Sequence, residues 1–397
     1  MNLLLLSFYY EPDLSAGSFR TAALVRALKA RYSDNVRIHV ITSMPNRYAS
    51  HTVSVASEED IDGLRITRLT LPLHRGGMRA QVQAFTHFFF KSLRVARKEN
   101  YDAVFATSSR LFTGFLGAIV ARRQKAPLYF DVRDLFVDTL GDILPRPLMR
   151  LMSPFLRTIE RFTFKTAARV NVVSEGFLPY CREHFQLEHC DVFTNGIDSL
   201  FLTPPETVEK ASWATGGKKI ILYAGNMGEG QGLEKIIPPM AVALAATHHF
   251  VLIGDGGRRE ALLNALEARD VQNVSLLSPV ERKALVAAYL QADILFLHLN
   301  DCQAFLKVLP SKLFEYAAFT KPIAAGVAGF AEAFIARELP DVKVFTPCDA
   351  EHAVEVIRSM PSSIPPRGAF KARFARESIM QRLAEQLFAL SKREHAA

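Results

Sequence analysis

Short apolar runs alternate with longer mixed stretches along the whole chain. Leu3 to Phe8 reads as a strand, Tyr9 to Ser18 as a loop, and Phe19 to Ala30 as a helix with Ala22, Ala23, Leu24, Val25, Ala27 and Leu28. Val36 to Thr42 reads as a second strand. Its alternation is partly lost, as expected of a parallel strand covered on both faces. Helices near Gln81 to Lys98 and Phe112 to Arg122 separate strands at Ala103 to Ala106 and Leu128 to Val132, and strands at Val170 to Val173 and Val192 to Thr194 follow. The pattern then restarts: strand Lys219 to Tyr223, glycine-rich loop Gly225 to Gly232, helix Leu233 to Ala246, strand Phe250 to Ile253, loop Gly254 to Gly257 and helix Arg258 to Arg269. Strand Val274 to Leu277, helix Glu281 to Ala288 and strand Ile294 to Leu297 lead to a helix opened by Pro310 and Ser311, with Ser311 read as its N-cap. Lys321-Pro322 ends that helix, and a short strand, Ile323 to Ala325, follows. No element is assigned to the irregular stretch from Met44 to Gly77.

Such βα alternation predicts an α/β protein with open parallel sheets. The restart predicts two doubly wound, Rossmann-like domains facing across a cleft, with ligands at the carboxyl ends of the strands. The divisions read from the sequence are 1–198, 199–378 and a terminal segment 379–397, whose helix would pack back on the first domain. A chain of 397 residues is long enough for two cores.

Charge changes the picture. The net charge is +8, and 26 Lys and Arg against 19 Asp and Glu between Met1 and Asp198 account for +7 of it. An anionic partner is therefore sought in the first half. Arg75 to Lys98 carries Arg75, Arg79, Lys91, Arg94, Arg97 and Lys98 with the triplet Phe88-Phe89-Phe90 and no acid. Arg146 to Arg169 carries Arg146, Arg150, Arg157, Arg161, Lys165 and Arg169 with Glu160 as its one acid. Ser153-Pro154 reads as a cap and helix start, after which basic residues recur every four positions. This is either a solvated helix face or a surface for anionic lipid. No nucleic-acid-binding motif accompanies the charge. The four cysteines have no CxxC or zinc spacing, which suggests free thiols in a reducing cytosol and no metal site. The apolar start, MNLLLLSFYYEPD, lacks a basic flank and reads as a buried strand rather than a signal peptide. No run is long and apolar enough to span a membrane.

The candidate chemistry sits at strand ends. Ser15-Ala16-Gly17-Ser18 follows the first strand and opens a helix, either an ordinary turn or a place where backbone meets an anion. Gly225-Asn226-Met227-Gly228 and Gly254-Asp255-Gly256-Gly257 would form one ledge. Arg133 and Asp134 end a first-half strand, and there they could hold phosphate and sugar hydroxyls or form a structural ion pair. Asp138 is a further carboxylate candidate. Lys312 stands in the first turn of its helix, where a cation opposes the dipole. It either faces an anion or forms an i,i+3 surface pair with Glu315. There is neither GxGxxG nor Walker A, which speaks against NAD and ATP enzymes.

Taken together, these residues resemble the GT-B glycosyltransferases of family GT4, the group 1 glycosyltransferases, and among them the WbuB-like bacterial O-antigen and capsule sugar transferases. The likeness rests on the Ala16-Gly17 loop, Arg133-Asp134-Leu135, Val172-Val173-Ser174-Glu175, Asn195-Gly196-Ile197-Asp198 with Phe201 and Pro204, Tyr223 to Gly232, Ile253 to Gly257, and Pro310 to Pro322. It implies a nucleotide-sugar donor, commonly UDP-linked and a substrate rather than a cofactor, bound by the second half. The diphosphate would lie near Gly17, Gly225, Asn226 and Lys312, the ribose at Glu315 and the base near Ser278 to Val280, with Ala16, Gly254 and Ser311 also among the donor-binding residues. The acceptor would sit on the first half, and transfer would retain configuration without a metal. The chain departs from the family at three places: Lys307 replaces the first of two glutamates eight positions apart, Gln231 replaces a phosphate-binding lysine, and Arg133 replaces a histidine before Asp134. Arg133, Asp134 and Lys307 are the catalytic candidates.

The sequence thus predicts a cytoplasmic glycosyltransferase, peripheral on the inner face of the cytoplasmic membrane. It would pass an N-acetylated hexosamine or deoxyhexosamine to a polyprenyl-diphosphate-linked or glycan acceptor. Two other readings stay open: a nucleotide-sugar 2-epimerase of the same architecture, and a non-catalytic nucleotide-sugar-binding subunit of a glycan assembly complex.

Overall fold

The computed structural model describes residues 1–45, 54–72, 78–108, 111–144, 146–204, 213 and 216–393, with backbone alone at 78–81, 111, 142–143 and 392–393. Arg75 lies outside the described residues, as does the side chain of Arg79. The chain divides into two compact units, residues 1–195 with 376–397 and residues 196–375. These divisions fall three residues before the 198/199 and 378/379 positions read from the sequence.

In the first unit β1 (Asn2–Leu6), α1 (Ala16–Tyr32), β2 (Arg37–Ser43), β3 (Glu58–Ile61), β4 (Leu64–Leu69), α2 (Met78–Ala96), β5 (Ala103–Thr107) and α3 (Leu111–Gln124) are followed by β6 (Leu128–Val132), α4 (Phe136–Ile143), α5 (Arg146–Thr166), β7 (Ala167–Val172), α6 (Leu178–Phe185) and β8 (Asp191–Val192). The sheet order is β3-β4-β2-β1-β5-β6-β7-β8, parallel except for the β3–β4 pair. Strands wind outward in opposite directions from β1 and β5, which puts the topological switch point between them. Leu3, Leu4, Leu5 and Leu6 are all fully buried, the continuous apolar run expected of a central parallel strand.

The second unit runs α7 (Ser199–Leu202), β9 (Lys219–Asn226), α8 (Leu233–Ala243), β10 (His248–Asp255), α9 (Arg259–Glu267), β11 (Val274–Leu277), α10 (Arg282–Gln291), β12 (Ile294–His298), α11 (Ser311–Ala317), β13 (Ile323–Gly326), α12 (Phe330–Glu338), β14 (Lys343–Phe345), α13 (Ala350–Arg358) and α14 (Gly368–Arg373). Its all-parallel sheet has the order β11-β10-β9-β12-β13-β14, with the switch point between β9 and β12. The chain then returns to the first unit as α15 (Arg376–Arg393), whose Ile379, Met380, Leu383, Ala384 and Leu387 join the core built by α1, β1, β2 and β5.

Several local expectations are corrected. Gly225, Asn226 and Gly254 are strand residues rather than loop residues: β9 and β10 stay paired through Gly254 opposite Gly225 and Asp255 opposite Asn226. Ser153-Pro154 does not start a helix; α5 begins at Arg146 and runs through Pro154. Pro154 is exposed, so the carbonyl that its missing N–H leaves unbonded can be hydrated. Pro310, not Ser311, caps α11, and Ser311 is its first helical residue with no side-chain cap. Within Met44 to Gly77 the structure shows the β3–β4 hairpin. Its edge strand, Glu-Glu-Asp-Ile, is mostly exposed, so it carries no apolar alternation to read. Among the described residues no helix is long and apolar enough to cross a membrane.

Candidate functional site

Both switch points collect residues singled out in the sequence. In the first unit the loop after β1 leads into α1, whose N-cap Ser15 accepts a hydrogen bond from the Ser18 N–H through Oγ. Ala16 is the first helical residue and Gly17 the second. A Cβ on Gly17 would lie 2.1 Å from a terminal nitrogen of Arg133, so the Arg133 guanidinium occupies the space that this glycine leaves open. Arg133 and Asp134 follow β6, and their N–H groups both meet Ser108 Oγ, at 2.8 and 3.4 Å.

Beneath them Asp131 is fully buried. It accepts from Arg20 Nε at 3.1 Å, from a terminal nitrogen of the same guanidinium at 2.9 Å and from Asn171 Nδ2 at 2.6 Å. Arg376, at the start of α15, donates through Nε to the Asn195 carbonyl at 2.8 Å. Burial pushes the Arg133 guanidinium down to about 10; Asp131 opposes the shift, and the positive charges of Arg20 and Arg376 add to it. Arg133 Nε is buried with no hydrogen-bond partner, a cost unless a ligand or water satisfies it. Burial also pushes the Asp134 carboxyl upward, against a 3.1 Å hydrogen bond from Thr139 Oγ1. Arg20, Asn171 and Arg376 were missed in the sequence. Arg20 and Asp131 lie 111 residues apart, and no local spacing announces their pairing.

In the second unit Lys312 Nζ lies 2.8 Å from Glu315 Oε2 and 3.3 Å from the Tyr289 hydroxyl, which is itself 3.2 Å from the same carboxylate oxygen. This is the i,i+3 pair, but not on the surface: Glu315 is buried and Tyr289 fully so. A Cβ on Gly225 would lie 3.1 Å from Lys312 Cε and 3.2 Å from the Tyr223 hydroxyl, so the lysine stem crosses the end of β9. Tyr316 accepts from the Ala224 N–H at 3.0 Å. Gly254 is required by packing, since a Cβ there would lie 1.8 Å from the Gly225 carbonyl oxygen.

Gln231 holds its own loop: its Oε1 accepts from Asn226 Nδ2 at 2.8 Å and from the Gly228 N–H at 3.2 Å. Its carbonyl lies 2.6 Å from His298 Nδ1, while His298 Nε2 accepts from the Cys348 N–H at 2.9 Å. The neutral ring therefore carries its proton on Nδ1, and burial pushes the imidazole down to about 4. Lys307 ends a 3₁₀ turn, Gln303–Lys307, whose Phe305 ring sits against Gly230. Ser278 is exposed just after β11, and Val280 packs partly against the core.

The arrangement offers two places for anionic oxygen. One is a guanidinium held at the N-terminus of a long helix, the other a lysine beside a glycine strand end with a carboxylate and tyrosines behind it.

Residues 17–196 match the family described as glycosyl transferase 4-like domain, and residues 206–372 match glycosyl transferases group 1. Over 103 residues the chain is 34% identical to WcaI of Escherichia coli (strain K12), whose name places it among colanic acid biosynthesis glycosyl transferases; the match spans 24% of this chain and 23% of the length of that relative. A sucrose-phosphate synthase from Thermosynechococcus elongatus superposes with a TM-score of 0.74 at 16% identity, covering 98% of this chain and 99% of the other. Anabaena HepE, solved in complex with UDP and glucose, superposes with a TM-score of 0.67 at 15% identity, covering 97% and 98%. At such identities these structures speak for the fold.

Proposed function

The chain belongs to the group 1, GT4-type glycosyltransferases of the GT-B fold, and from that premise we propose that it transfers a sugar from a nucleoside-diphosphate donor held by the second unit. The observation that carries the reading is Lys312 lying across Gly225 at the β9–β12 switch point, paired with Glu315. A diphosphate entering there would draw Lys312 Nζ from the carboxylate, and Glu315 would then be free to accept hydrogen bonds from ribose hydroxyls. Stabilising the departing diphosphate is the main catalytic task assigned to these groups. Gln231 bridges its loop rather than supplying a cation, so Lys312 carries that role, with Lys307 as a second cation. In the first unit Asp134, with its raised carboxyl, is assigned to the acceptor or transferred sugar, and Arg133 to anionic oxygen.

The donor is proposed to be UDP-linked, the sugar an N-acetylated hexosamine or deoxyhexosamine, and the acceptor lipid-linked or a surface glycan reached from the inner face of the membrane. HepE binds UDP and the WcaI name points to colanic acid biosynthesis, which supports this reading. Transfer is proposed to retain configuration and to survive chelation by EDTA.

The test is thermal unfolding with UDP, GDP, CMP, ADP and NAD. A ligand at about 100 times its Kd adds roughly 2.7 kcal/mol. A shift with UDP or GDP that disappears in Lys312→Ala, each protein being compared with its own ligand-free midpoint, supports the donor site. No shift with any nucleoside diphosphate, or a shift with NAD alone, overturns it.

A further inference from the structure

The first unit holds a cavity of about 390 Å³ walled by α4, α5 and α6. Arg146, Arg150 and Arg157 line it together with Tyr180 and His184, and Asp138 is the one carboxylate among its lining residues. On α5 the three arginines fall within about 40° of arc, so they share one flank. Leu148, Leu151 and Phe155 share the opposite flank and are 40%, 79% and 64% exposed. Large apolar side chains clustered in water mark a contact surface.

We propose that this cavity seats the phosphate group of a membrane-borne, lipid-linked acceptor, with the apolar flank of α5 resting in the lipid interface. The proposal rests on the glycosyltransferase reading and names the acceptor class. Charge selects the ligand: three guanidiniums against one carboxylate fit a phosphomonoester or diphosphate. The apolar flank selects its source, because free phosphate has no use for Leu151 and Phe155, whereas a bilayer takes such side chains into the headgroup boundary beside arginines at the phosphates. Behind the cavity Glu160 Oε2 accepts from the Tyr180 hydroxyl at 2.8 Å, and burial pushes its carboxyl up to about 7, which reduces the negative charge on that wall. Position links the cavity to the chemistry, since α4 begins two residues after Asp134.

The test is flotation of the full chain with phosphatidylcholine vesicles that contain undecaprenyl diphosphate or a charge-matched amount of phosphatidylglycerol. Stronger binding to the first is expected. Arg150→Ala with Arg157→Ala should weaken it by roughly 25-fold, about fivefold per arginine, and weaken phosphatidylglycerol binding less. Arg161→Ala, on the same helix but outside the cavity lining, should affect both vesicles equally. Leu151→Ser with Phe155→Ser should lower binding to both. Equal binding to the two vesicles with equal losses in the arginine variant overturns the cavity in favour of diffuse attraction. Inorganic pyrophosphate displacing the chain from undecaprenyl diphosphate vesicles at concentrations equal to the lipid's overturns the lipid source. The wild-type nucleotide shift separates the two readings: shift present and vesicle arms failing removes only the cavity assignment, while shift absent removes the glycosyltransferase reading whatever the vesicles do.

Discussion

At the switch point of the first unit, the Arg133 guanidinium feels the positive charges of Arg20 and Arg376 and the carboxylates of Asp131 and Asp134. At the switch point of the second unit, one lysine and one carboxylate satisfy each other, with Tyr289 completing the triangle. The sheets follow the same winding rule, yet one cluster leaves Arg133 Nε buried without a hydrogen-bond partner, while in the other the lysine and the carboxylate are paired. On the proposed reading the first would take an anion directly, and the second would exchange a partner to receive one. Removing a charge should therefore do different things in the two units.

The largest effect is expected from Asp131→Ala. It strips a buried bidentate partner from Arg20 and an acceptor from Asn171, and removes one of the two carboxylates that offset the charges of Arg20 and Arg376 at Arg133. Breaking a buried pair in this way costs about 3–5 kcal/mol, read as a lower urea midpoint. Lys312→Ala should cost less, because Glu315 keeps the Tyr289 hydroxyl. Equal losses would break the comparison.

One buried group in each unit should also respond oppositely to pH. His298 in the second unit is pushed down to about 4 from an ordinary 6.5. Between those values the unfolded chain binds the extra proton, so its contribution is complete above pH 6.5 and is lost as pH falls toward 4, on the order of 3 kcal/mol. Glu160 in the first unit is raised from 4.5 to about 7. Its contribution is complete below pH 4.5 and is lost as pH rises through 7. Urea unfolding from pH 4 to 7.5 should show His298→Asn flattening the acid-side loss and Glu160→Gln flattening the loss toward neutrality. Variants that leave the profile unchanged would remove these two groups as the cause.

The sequence made the parallel architecture, the switch-point glycines and the Lys312 helix legible, because each is a local pattern: a strand-length apolar run, a glycine after it, a proline-bounded helix. What it hid is tertiary. Arg20 reads as a helix residue until Asp131 appears beneath it, and Gln231 reads as a lost cation until its amide is seen bridging Asn226 and Gly228. Pro154 misled because the N-terminal preference of proline is strong, while its tolerance at a solvent-facing position within a helix depends on burial that a sequence does not display. The glycine ledge was read for ligand approach, but at Gly254 the approaching backbone is the protein's own.

That last distinction yields the finest contrast between the units. In Gly254→Ala the new methyl would sit 1.8 Å from the Gly225 carbonyl oxygen, at a φ of +151°. Neither strand end can yield without breaking the β9–β10 ladder, so a loss of roughly 3 kcal/mol is expected. In Gly17→Ala the methyl would sit 2.1 Å from an Arg133 nitrogen. There the obstacle is the far end of a flexible side chain, and alanine suits a helix better than glycine by about 1 kcal/mol. Stability should then change by less than about 1 kcal/mol while the guanidinium is driven from its place over the α1 N-terminus. Turnover should fall in Gly17→Ala with the unfolding midpoint nearly unmoved, and the midpoint should fall in Gly254→Ala. If Gly17→Ala keeps wild-type turnover, the seat of Arg133 over that helix is packing and not chemistry.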